Sequence, residues 1–68
     1  MLKVKDVNRL KVFGFKLDTD LYVKKFKKGE IMIDAENGTI IIRADDNYLN
    51  QIPDDLFELF AANLVERV

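Results

Sequence analysis

The sequence predicts an α+β fold: a small antiparallel sheet with a C-terminal helix packed on one of its faces. Three observations predict it. Asn37-Gly38 stands between two runs rich in isoleucine, the last sixteen residues carry helix-start chemistry and apolar spacing, and short alternating segments occupy the first half. Sixty-eight residues make one domain, 1–68, the reasonable count. The chain has no Cys and no His, so neither disulfides nor a zinc site can support so small a core. Close packing or association with a partner must supply that support.

In chain order, Leu2 and Val4 alternate with Lys3 and Lys5, the pattern of a short strand. Asn8-Arg9 suits a turn. Leu10 to Leu17 reads as a second strand. Its parity breaks at Phe13-Gly14, where a bulge would return Phe15 and Leu17 to the face of Leu10 and Val12. Asp18-Thr19-Asp20 then offers a helix start and Lys27-Lys28-Gly29 a helix stop. Residues 19–28 are therefore read as a second short helix, with Tyr22, Val23 and Phe26 on one arc and the lysines opposite. A longer strand meander is the competing reading, since Tyr22 and Val23 favour strands.

The hairpin Glu30–Ala44 is the clearest signal. A two-residue Asn37-Gly38 loop of the primed type would set Ala35 opposite Ile40, Ile33 opposite Ile42 and Ile31 opposite Ala44. One face then reads Ile31, Ile33, Ala35, Ile40, Ile42 and Ala44. The other reads Met32, Asp34, Glu36, Thr39, Ile41 and Arg43. Residues 45–51 form a polar loop. Pro53 to Val68 reads as a helix, with Pro53, Asp54 and Asp55 in a first turn and Asp55-x-x-Glu58 as a carboxylate capping box. Leu56, Phe57, Phe60, Leu64 and Val68 form one stripe. Leu59 and Val65 fall outside it, which makes the apolar arc roughly 240° wide at about 100° per residue.

Composition narrows function. Without His, Ser or Cys, the common bases and nucleophiles are missing, so the expectation is a non-enzymatic chain. Asp18-x-Asp20 and Asp45-Asp46 lack the ligand spacing of a calcium loop, and Lys27-Lys28-Gly29-Glu30 lacks that of a phosphate loop. No cofactor, metal or small-molecule substrate is implied. Apolar runs such as Ile40–Ile42 are far short of a membrane span, and the N-terminus shows no run of signal-peptide length, so no membrane contact and a cytoplasmic location are expected.

Charge is split along the chain. Residues 1–28 hold nine cations against three carboxylates, and residues 29–68 hold two against nine. Such asymmetry points to an interaction surface. The wide helical arc, with Met32 and Ile41 on the wet hairpin face, points the same way. The expectation is a protein-interaction module that self-associates or binds a protein partner. Met32, Ile41, Leu59 and Val65 would make the apolar contact, and Lys24, Lys25, Lys27 and Lys28 the electrostatic one. The alternative is nucleic-acid binding by the lysine-rich N-terminal half, with Phe13, Phe15, Tyr22 and Phe26 as stacking rings. An inhibitor whose acidic half fills a basic site on another protein is a third reading.

Overall fold

The β-rich middle of the chain builds a four-stranded antiparallel meander, seen in a computed structural model that describes residues 2–44 and 54–68. Its strands are β2 (Lys16–Asp18), β3 (Leu21–Phe26), β4 (Gly29–Asp34) and β5 (Ile40–Ala44), side by side in that order. A second sheet pairs β1 (Leu2–Val4) with β6 (Val65–Arg67), antiparallel, with Val4 opposite Val65. A 3₁₀ helix spans Val7–Phe13 and α1 spans Asp54–Ala61. The α+β class is as the sequence predicts. The loop expected at 45–51, and Pro53, lie outside the described residues.

Register sorts the four-stranded sheet into two faces. Tyr22 lies opposite Ile33 and Lys24 opposite Ile31, so β3 and β4 share an inner face that also carries Ile40 and Ile42. Tyr22, Ile31 and Ile33 are buried there with Leu56 and Leu59 of α1, Leu10, Phe15, Val4 and Leu64. That cluster is the core. The two sheets meet at the hairpin loop, where the Val4 amide donates to the Gly38 carbonyl at 2.8 Å and Lys3 bridges to Thr39.

Five local expectations are corrected. Residues 19–28 are not a helix: β3 and the Lys27-Lys28 turn occupy them. Thr19-Asp20 is a two-residue loop joining β2 to β3, with Thr19 at φ 57°, a costly conformation for a β-branched residue. The strand turns Leu21 and Val23 to one face and Tyr22, Lys24 and Phe26 to the other, and Lys24 is ion-paired on that inner face.

Leu10–Leu17 is not one strand. The Asp6 carboxylate accepts from the Asn8 amide at 3.1 Å and starts the 3₁₀ helix, so Asn8 and Arg9 lie inside it rather than in a turn. Gly14, at φ 90°, ends that helix instead of bulging a strand.

The hairpin forms, but its register is displaced by two residues: Ile33 faces Ile40, Ile31 faces Ile42 and Gly29 faces Ala44. The Asp34 carboxylate accepts from the amides of Glu36 and Asn37 at 2.8 and 3.0 Å, and the Gly38 amide donates to the Asp34 carbonyl. These bonds build a longer loop in which Gly38 alone has positive φ, 79°. They also hold the Asp34 carboxyl below its ordinary value, the Asn37 amide most and the Glu36 amide next. A two-residue displacement keeps the faces unchanged.

The C-terminal helix stops at Ala61. The Asn63 amide donates to the Phe60 carbonyl and the Leu64 amide to the Leu59 carbonyl, with Asn63 at φ 59°. This is a Schellman ending. The 3₁₀ helix closes the same way: Gly14 donates to Lys11 and Phe15 to Leu10. Leu10 with Phe15 and Leu59 with Leu64 are the apolar pairs that accompany the two endings, and all four residues are buried.

Candidate interaction surface

On the face of the sheet turned away from the core, apolar side chains line up in register across three strands. Val23 lies opposite Met32, and Met32 opposite Ile41, a row across β3, β4 and β5 that begins with Lys16 on β2. Ile41 is 49% exposed, and Val23 and Met32 are half-buried without joining the core cluster. Leu21, on the same face, extends the apolar strip along β3.

Charged side chains bracket the row. Towards the β3–β4 turn, Lys25, Glu30 and Arg43 form the next row, followed by Lys27 and Lys28 in the turn. Arg43 sits 3.5 Å from Glu30, an exposed pair worth little by itself. Towards the other end lie Asp18 and Asp34, with Asp20 and Glu36 in the two adjacent loops.

Of the eight residues singled out in the sequence, the fold brings five to this surface: Met32, Ile41, Lys25, Lys27 and Lys28. The other three are elsewhere. Leu59 is completely buried, because α1 turns Leu56 and Leu59 inward and leaves Phe57 and Phe60 exposed. Val65 is not helical: it pairs with Val4 in β6 and packs against the core. Lys24 is an internal clamp. Its ammonium lies 2.9 Å from the Asp55 carboxylate, donates to the Phe13 carbonyl at 2.7 Å, and sits 5.8 Å from the centroid of the Phe15 ring. One side chain thereby ties β3 to the end of the 3₁₀ helix and the start of α1.

Replacing Lys24 by Met keeps most of the stem and removes the three contacts. We expect a loss of about 1–2 kcal/mol in urea denaturation, from an uncapped carbonyl and an unpaired, partly buried Asp55. A K24M stability within 0.3 kcal/mol of the parent would show that the clamp contributes nothing.

Val23 is the member of this row that sequence reading missed, since its assignment to a helix hid its alternation with Tyr22 and Lys24. Phe57 and Phe60, 6.5 Å apart between ring centroids, are a second exposed apolar feature. A shallow groove of about 640 Å³ runs along β2 and β3, lined by Lys16, Leu17, Asp18, Val23 and Lys25 among others. Among the described residues, no carboxylates are grouped so as to hold a metal ion, and no helix is long and apolar enough to cross a membrane. Comparison of the chain with protein-family models, curated proteins and solved structures finds no match.

Proposed function

We propose that this chain is a non-enzymatic protein-interaction module that docks through the outer face of its four-stranded sheet. The observation that carries the reading is the Val23–Met32–Ile41 row, contiguous across three strands on the face opposite the core. Aligned apolar side chains of this kind are informative where isolated ones are not. Lys25, Lys27 and Lys28 at one end supply charge that orients an incoming partner more than it tightens the complex.

Nucleic-acid binding retains the exposed lysines but loses its stacking rings. Phe15 and Tyr22 are buried, and Phe13 and Phe26 pack against the core. A base needs an exposed aromatic face to stack on. The protein reading therefore fits the surface better.

Site-specific photo-crosslinking tests the reading. A benzophenone side chain placed at Ile41 is expected to give covalent protein adducts in a native lysate. The same group at Val12, 83% exposed but away from the sheet face, is expected to give none above background. Equal yields from the two positions, or no adduct from position 41, would overturn the assignment of this face.

A further inference from the structure

The outer face carries opposite charge at its two ends, and this pattern identifies an occupant. Among the described residues, the end at the β3–β4 turn holds four cations, Lys25, Lys27, Lys28 and Arg43, against one carboxylate, Glu30. The end at the β2–β3 and β4–β5 loops holds four carboxylates, Asp18, Asp20, Asp34 and Glu36, against one cation, Lys3, bridged to Thr39. The apolar row lies between them. We infer that the surface docks a second copy of this chain, face to face about a two-fold axis running across the strands, so that each basic end lies over the partner's acidic end. This rests on the outer face being the contact surface.

Symmetry selects the axis. An isologous contact between two sheet faces has its two-fold axis in the plane of the contact. An axis along the strands would stack the basic end on itself and the acidic end on itself. An axis across the strands exchanges the ends and leaves Val23, Met32 and Ile41 over their own counterparts in the middle. Lys16 then meets its counterpart at the β2 rim, where it is exposed and its ammonium can stay in water. Aligned sheets cross at about 30° and stack about 10 Å apart, so the row makes close contact while the loop charges act at longer range.

The area is compatible with a modest dimer. A standard interface takes about 800 Å² from each partner, roughly one-sixth of the 4793 Å² this chain exposes. A face of four strands, none longer than six residues, covers roughly 20 × 20 Å at the usual strand spacing and rise, about half of the standard area, so the contact falls at the small end of the range. Association is accordingly expected in the micromolar range or weaker.

Two charge-reversal variants test the axis. K27E/K28E turns the basic end acidic, and D20K/E36K turns the acidic end basic. All four positions are exposed, and among the described residues no hydrogen bond or ion pair from these side chains holds the fold. Sedimentation equilibrium from about 10 µM to about 1 mM should show the parent dimerising. Each variant alone should associate about tenfold more weakly or worse, because like ends now oppose each other. An equimolar mixture of the two should recover the parent's association, since both end contacts become complementary in the mixed dimer. I41D should be monomeric, with an unchanged far-ultraviolet spectrum.

A parent chain that stays monomeric at every concentration overturns the second copy as occupant. The crosslinks from position 41 then report separately whether the face binds some other protein. A dimer that is indifferent to both reversals, or a mixture that fails to recover association, overturns the end-over-end arrangement.

Discussion

Gly38→Ala is expected to destabilise the fold by about 3 kcal/mol or more, for two reasons that add. Gly38 sits at φ 79°, a left-handed conformation that costs an L-residue with a Cβ roughly 1–2 kcal/mol. A Cβ built there also falls inside contact distance of the Val4 carbonyl oxygen and 3.3 Å from the Val4 nitrogen. Val4 cannot withdraw cheaply, since its amide donates to the Gly38 carbonyl and its side chain is buried. Relief therefore means parting β1 from the hairpin, and with it β6, which among the described strands pairs to β1 alone. Gly14→Ala is the internal comparison. Gly14 has a similar φ of 90°, but the atoms nearest its added Cβ belong to the flexible Lys24 side chain, 3.2 Å away at Cε. That variant should lose only the conformational part, about 1–2 kcal/mol. Urea denaturation of both, followed by circular dichroism, decides the matter. A Gly38→Ala loss no larger than that of Gly14→Ala would mean that the two sheets are not locked together at this carbonyl.

The hairpin was legible because two signals agree on it, the turn residues and the alternation of isoleucine with polar residues. Its register was not, because Asn-Gly favours a tight primed turn while Asp34 competes with three hydrogen-bonded interactions of its own loop. Parity survived the difference, which is why Met32 and Ile41 were assigned to the correct face. Residues 19–28 were misread because Tyr22, Val23 and Phe26 sort onto one helical arc with all four lysines, Lys24 among them, opposite. A charge on the inward face of a strand counts against the strand, and only the position of Asp55, thirty-one residues on, removes the objection. Long-range pairing of that sort leaves no mark in local periodicity.

The helix endings are a different case, since their signal is local. Leu10-x-x-x-Gly14-Phe15 and Leu59-x-x-x-Asn63-Leu64 share one spacing: an apolar residue, then Gly or Asn in the left-handed position, then a second apolar residue. This is the pattern of a Schellman ending. It stops α1 before Val65 and so removes the wide apolar arc. That arc came from projecting sixteen residues onto a helix of eight. The need for company inferred from that arc goes with it. What favours a partner is instead the outer sheet row, whose members lie on three strands and become neighbours only through the register.

Leu59 separates these two ideas experimentally. If it belonged to a contact surface, its truncation would weaken association and spare stability. Buried completely beside Leu56 and set against Leu64 at the helix ending, it should do the opposite. Leu59→Ala removes three carbons from a closed core and leaves a cavity, at a cost of about 3 kcal/mol within the usual range of 2–5. A domain of this size has only about 3–10 kcal/mol in total, so the variant should lie close to its unfolding threshold at 37 °C. Leu59→Met, which nearly conserves volume, should cost less than about 1.5 kcal/mol. Ile41→Ala makes the counter-measurement. With half its surface already in water, its truncation should cost about 1 kcal/mol or less in stability, and its effect should appear in self-association. Denaturation midpoints and sedimentation on the same three variants give both readouts. A Leu59→Ala loss no greater than that of Ile41→Ala would place Leu59 outside the core and return it to the surface.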